Sequence, residues 1–266
     1  MPVLDEMSIK TRFKKIRQKL LFRLSSTNHP LYLGFYKYLF RPKSGSLAFY
    51  LDQLSRDKDN FFVLQIGAND GMTHDPIHKF IKRDRWKGVL LEPQEPVFRK
   101  FLSPLYQNQQ GITVLNAALG VEDGEANLYC IGFSDRRWAS GLASFDRSVV
   151  EKAFESGHVA RQTQKENETI PNDADKWIVP VKVPVLSVST LIHKYAIDHI
   201  DLLQIDTEGY DYEIIRLFDF DQLRPMAISY ENMHLSPADK ESCEAYLQQK
   251  NYRLMHFGGN TLAVNN

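Results

Sequence analysis

Phe61-Phe62-Val63-Leu64-Gln65-Ile66-Gly67-Ala68-Asn69-Asp70-Gly71 is the stretch that decides the fold. Its apolar run, Phe61 to Ile66, predicts a strand buried on both faces. The run stops at Gly-x-Asn-x-Gly, and residues 76–83 can form a short helix after it. A glycine-bearing turn at the carboxyl end of a first parallel strand lets the backbone approach a ligand closely. The crevice outside such strand ends is where open α/β sheets bind. A dinucleotide fingerprint begun at Gly67 needs glycine where Asn69 and Met72 stand, so that pattern is absent.

Three later segments repeat the theme. Residues 88–93 read as a second parallel strand ending in Glu92, about 20 residues past the first turn, where a ribose-binding carboxylate is expected. Residues 114–120 read as a third strand and its exit, placing Asn116 and Ala117 where an adenine commonly sits. Residues 200–209 form a fourth strand that closes on Asp206, Glu208 and Gly209. Each acid alone has a structural alternative as a helix cap or first-turn charge. Their joint placement at successive strand ends is harder to explain by capping.

The segments IGANDG (66–71), NAALG (116–120), IDLLQIDTEGYDYEIIR (200–216) and AISYEN (227–232) resemble the FkbM family of S-adenosylmethionine-dependent methyltransferases over roughly residues 58–265. The Gly67-x3-Gly71 spacing is also the one such methyltransferases use. The resemblance implies a Rossmann-like class I sheet and O-methylation of a hydroxyl on a sugar, glycan or natural-product small molecule. It places Gly67, Ala68, Asn69, Asp70 and Gly71 on the cofactor, Glu92 on its ribose, Asn116 and Ala117 near its adenine, and Asp206 near its methyl or amino acid end. Gln65 stands where the family's first motif usually carries an acid. Ser140 and Ser144 lie in a segment found near the ligand in this family.

An aliphatic hydroxyl is a poor nucleophile, so its proton must be taken or its pKa lowered. Asp206, Glu208 and His234 are the candidate general bases. Alternatively, Asp206, Glu231 and Asn232, at the ends of the fourth and fifth strands, can converge on Mg²⁺ or a similarly hard cation. Two other readings compete. A nicotinamide-dependent oxidoreductase needs the missing third glycine. A non-catalytic binding module predicts degraded motifs, and IGANDG and IDTEG are intact. Amino methylation of nucleobases lacks its Asn/Asp-Pro-Pro-aromatic signature at the fourth strand.

The coarse order is strand 61–66, helix 76–83, strand 87–92, helix 95–107, strand 112–117, a short antiparallel pair near 125–131, strand 200–205, helix 211–218, strand 226–231, helix 237–250 and a hairpin from 252 to 264. This is a mostly parallel α/β sheet with an antiparallel C-terminal hairpin. Residues 133–184 read as an irregular insertion, a lid over the acceptor pocket or disordered. Residues 58–266 form the methyltransferase domain, and residues 1–57 a helical, basic N-terminal extension. There, Ile9, Phe13, Ile16, Leu20 and Leu24 make a helical stripe among basic residues. It suits packing on the catalytic domain or a partner subunit, or contact with an anionic membrane surface or acidic partner. The 33 basic and 33 acidic residues balance, which disfavours a nucleic-acid substrate. Cys130 and Cys243 lack metal-ligand spacing and read as reduced thiols. With no membrane-length apolar run and no signal-peptide pattern, the expected location is cytoplasmic, peripheral to the membrane if the stripe binds there.

Overall fold

The computed structural model describes residues 9–56 and 58–265, with the side chains of 9–12, 14 and 15 left out of the description. Its centre is a seven-stranded sheet in the order β3-β2-β1-β7-β8-β10-β9. The strands are β1 (Phe62–Ile66), β2 (Lys87–Leu91), β3 (Ile112–Leu115), β7 (Leu202–Ile205), β8 (Ala227–Glu231), β9 (Tyr252–Phe257) and β10 (Asn260–Asn265). β10 alone runs antiparallel, between β8 and β9; the other pairings are parallel. This is the class I methyltransferase arrangement with its closing hairpin. The chain reverses direction of travel between β1 and β7, so the crevice opens at their carboxyl ends.

Period-two alternation divides the core. Leu64, Ile66, Val89, Leu91, Leu203, Ile205, Ile228 and Tyr230 pack on one face. Phe61, Val63, Leu90, Leu202, Ala227 and Leu262 pack on the other. The N-terminal extension contributes to the second face, where Leu51 is fully buried and Phe22 packs against the cluster. A cut between residues 57 and 58 therefore passes through a shared core. Ser25 Oγ lies 2.8 Å from His78 Nε2, His78 Nδ1 lies 2.8 Å from Tyr106 Oη, and Tyr106 donates to the Gly71 carbonyl at 3.4 Å. This relay joins the helix Ile9–Ser26 to the end of the first turn.

The 133–184 insertion, read from the sequence as irregular, is built of regular elements. It carries the helices Arg137–Ser140, Arg147–Glu155 and His158–Glu166 and most of β6 (Ile178–Ser187). β6 lies between β4 (Ala118–Gly120) and β5 (Gly124–Ile131) in a second sheet. The strand expected near 125–131 thus pairs with a partner some 50 residues away, not with a local neighbour. Pro180 and Pro184 argue against a strand, but β4 covers β6 only from Val185 to Ser187, so both prolines sit where β6 has a single neighbour. Ile131, Ala139, Val150, Ala153, Val159 and Ile178 form a local core, and Phe154 stacks on Trp177 at 5.1 Å. The polar residues hold this unit together: Glu168 accepts from Ser134 Oγ, Trp138 Nε1 and Arg136 Nε. The helix Val188–Tyr195 follows, capped by Ser187, and was not expected from the sequence. Both cysteines are free, and no described helix is long and apolar enough to cross a membrane.

Candidate active site

Four strand ends build one cleft. Gly67 and Asn69 come from β1, Glu92, Pro93 and Gln94 from β2, Ala117 from β3, and Asp206, Thr207 and Glu208 from β7. Arg137 and Ser140 enter from the insertion, and the space measures about 600 Å³, its mouth included.

The first turn is tied to its neighbours by backbone. Gly67 and Ala68 N–H both donate to the Leu91 carbonyl, at 3.1 and 2.8 Å. Asp206 N–H donates to the Ile66 carbonyl at 3.0 Å. Gly67 has φ +79° and lies against the Asp206 carbonyl. Asn69, also left-handed at φ +48°, sends its Nδ2 to the Ser140 carbonyl.

Glu92 closes this turn from the second strand. Its Oε2 accepts Asn69 N–H and its Oε1 accepts Gln94 N–H, each at 2.8 Å. Each oxygen keeps a lone pair for a ligand hydroxyl. Burial pushes its pKa up to about 7 against the pull of those N–H groups and Arg137.

Some expected cofactor residues lie behind the wall, not in it. Ala68 is buried. Asp70 caps Met72 and Thr73 N–H and pairs with Arg137 at 3.3 Å. Gly71 faces Leu102, Leu105 and Tyr106. Asn116 Nδ2 bridges the Glu92 and Pro93 carbonyls, so it holds the second strand's exit while Ala117 lines the cleft. Gln65 donates to Asp75 Oδ2 at 3.0 Å, and its own Oε1 is buried without a partner. Asp75 thereby brings a carboxyl beside the position where the family motif carries one. Its Oδ1 is held by Ile77 and His78 N–H.

The fourth-strand loop is bent tightly. Glu208 adopts φ +51°, unusual for a non-glycine residue. Ser144 Oγ donates to the Glu208 carbonyl at 3.0 Å, so this serine shapes the loop and leaves the cleft to Ser140. Fully buried Asp211 accepts Thr207 Oγ1–H at 2.8 Å and Glu231 N–H at 3.1 Å, linking the ends of β7 and β8.

The expected cation set is not assembled. Adjacent strand-end residues point to opposite sides, and Asn232 is buried with its Nδ2 on Thr261 Oγ1 at 2.7 Å. Glu231 instead turns toward His234, whose Nε2 lies 3.8 Å from it and 3.2 Å from Glu208 Oε2. Ligand atoms of Glu208, Glu231 and His234 all lie within 4.8 Å of one another, a set able to hold a hard cation.

Burial, then the charges of Asp206, Glu231 and Asp211, push Glu208 up to about 9. Burial and Asp206 push Glu231 up to about 8, and burial with Asp206 pushes Asp211 up to about 7. Asp206 reaches solvent through the cleft mouth, yet the protein crowding it raises its pKa to about 6, with Arg137 opposing. Burial lowers His234. The two nearby carboxyls would raise it if ionised, but burial keeps them largely protonated, so the imidazole is neutral.

The acid cluster fixes a sign. Carboxyls with raised folded-state pKa bind more protons folded than unfolded, so stability falls as pH climbs toward their folded values. Between about pH 6.5 and 8, His78 and His234, both lowered by burial, oppose the trend only at the lower end, and Lys82, lowered to about 8 by burial, only at the upper end. The melting temperature of the ligand-free protein is therefore expected to drop across this window in differential scanning fluorimetry. A rise would contradict the burial of this cluster.

Sequence reasoning missed Arg137, the basic residue among those lining the cleft. It reaches the Thr73 carbonyl and Asp70 from some 65 residues along the chain. Nothing in its local sequence marks it. Asp211 opens its helix as a first-turn acid, and its buried bonds to two loops have no local signature.

A model of the methyltransferase FkbM domain matches residues 65–254, and the chain belongs to the FkbM methyltransferase family. Comparison with curated proteins gave no match. Among solved structures, the chain is similar to the methyltransferase FkbM from Methylobacillus flagellatus KT at 14% identity and a TM-score of 0.47. That match covers 94% of this chain and 59% of that one, so the chain spans about three-fifths of its relative's length. It is also similar to an O-methyltransferase from Bacillus cereus in complex with SAH, at 12% identity and a TM-score of 0.40, over 99% of this chain and 94% of that one.

Proposed function

We propose that the protein transfers the methyl group of S-adenosylmethionine to a hydroxyl of a sugar, glycan or natural-product small molecule. The observation that carries this reading is the convergence of Glu92, Asp206 and Glu208 on one cleft at the β1/β7 crossover. Asp206, the most acidic of the three, complements a sulfonium cation, and Glu92 is placed to accept ribose hydroxyls. Bound S-adenosylmethionine supplies an electrophilic methyl whose C–S electron pair leaves with sulfur as the acceptor oxygen bonds to carbon. Most of the remaining work is alignment. Neutral His234, beside Glu208 and Glu231, takes the hydroxyl proton at Nε2. Arg137 closes the cleft from the insertion and offsets part of its negative charge.

The grouping of Glu208, Glu231 and His234 also favours a second reading. A divalent cation on these three residues would lower the pKa of the acceptor hydroxyl.

Calorimetry with S-adenosylmethionine on wild type and Glu92→Ala, with and without Mg²⁺, tests the proposal. Saturable binding weakened roughly 10- to 100-fold by Glu92→Ala is expected, as for loss of hydrogen bonds to an ionisable group. No binding by folded wild type would sink the reading and leave a binding module. Stimulation by Mg²⁺ that Glu231→Gln abolishes would select the cation-assisted form.

A further inference from the structure

Residues 7–51 hold ten lysines and arginines and no acid, in a chain whose total charge is zero. The same segment holds Phe13, Ile16, Leu20, Leu31, Phe35, Tyr38 and Leu39, seven of the ten large hydrophobic side chains left exposed among the described residues. Phe13, Ile16 and Leu20 recur at i, i+3 and i+7 on the helix Ile9–Ser26 and are 70%, 63% and 53% exposed.

The stripe faces away from the catalytic domain. Residues 16–20 are all exposed, whereas Phe22 and Ser25, further along the helix, make the contacts with the body. The following turns divide the same way: Tyr32 is buried against Tyr36 while Leu31, Phe35, Tyr38 and Leu39 face out. Arg17, Lys19, Arg23, Lys37, Arg41 and Lys43 are exposed, and none has an ion-pair partner among the described residues.

We infer that this basic, apolar surface docks on an anionic phospholipid bilayer. Aromatic and aliphatic side chains enter the headgroup boundary while lysines and arginines contact the lipid charges. A second copy of the chain fits poorly, because two-fold pairing would set acid-free basic segments against each other. A nucleic-acid backbone would neutralise the bases but leave the apolar stripe in water.

Co-sedimentation of the full chain with vesicles tests this. One set is phosphatidylcholine alone and the other contains phosphatidylglycerol. Wild type is expected to pellet with the anionic set only and to be released by salt. The double variants Ile16→Glu/Leu20→Glu and Arg17→Glu/Lys19→Glu should each weaken binding about tenfold or more. All four positions are exposed, and an unchanged melting temperature would show that the variants fold. The inference is overturned if wild type fails to bind anionic vesicles, or if both double variants bind as wild type does. It is equally overturned if the chain forms dimers that Ile16→Glu/Leu20→Glu dissolves and ignores vesicles.

Discussion

Gly67→Ala is expected to destabilise the protein by about 3 kcal/mol or more, and to leave little folded material for ligand binding. A Cβ at this position would lie 1.9 Å from the Asp206 carbonyl oxygen and 2.9 Å from its carbon. Both are backbone atoms at the exit of β7, so no side-chain rotation can relieve the contact. β1 and β7 would have to separate where Asp206 N–H bonds the Ile66 carbonyl, at the centre of the sheet. The positive φ adds a smaller cost of about 1–2 kcal/mol. Gly45→Ala isolates that part, because Gly45 has φ +74° and a Cβ added there would meet nothing within 4 Å. Urea denaturation of both variants gives the comparison. Equal losses would show that the close approach of the two strand ends is absent in solution.

His234→Ala is expected to lower turnover by about 10²–10⁴-fold while leaving affinity for S-adenosylmethionine within about twofold. His234 sits beyond β8, outside the residues that line the cleft, and reaches it through Glu208, whose Oε2 lies 3.2 Å from its Nε2. Removing the imidazole takes away a proton acceptor without touching the turn that Glu92 closes. A single-turnover assay with labelled methyl donor, alongside calorimetry, separates the two effects. Equal loss of binding and turnover would make His234 a structural part of the donor site. Unchanged turnover would pass the base role to Glu208 or Asp206.

Strands β1, β2, β7 and β8 were legible because central parallel strands are apolar on both faces, and Val63-Leu64 or Leu202-Leu203 cannot be mistaken for surface. The position of the cleft followed from the same fact, since a parallel sheet binds at its carboxyl edge. Gly67, Asn69, Glu92, Ala117, Asp206 and Glu208 line it. Sequence reading failed where a neighbour along the chain is not a neighbour in space. Asn232 follows Glu231 but points the other way, and His234 takes the place assigned to it. The insertion was illegible because polar side chains hold it, with Glu168 gathering three donors, and because its prolines sit on the open length of a strand. Its basic contribution to the cleft, Arg137, has no periodic pattern around it.

The path from Ser25 through His78 and Tyr106 to Gly71 makes the N-terminal helix a thermodynamic partner of the first turn. Burial holds His78 far below the usual imidazole range, about 3, so the ring is neutral and its two nitrogens have one donor and one acceptor role to share between Ser25 and Tyr106. A force on the helix that alters Ser25 must be answered at Tyr106, and so at the Gly71 carbonyl. If the path couples the two ends, occupancy at either would shift affinity at the other by the same factor, as reciprocity requires. A chain trimmed through Ser25 would keep every cleft residue and lose that link.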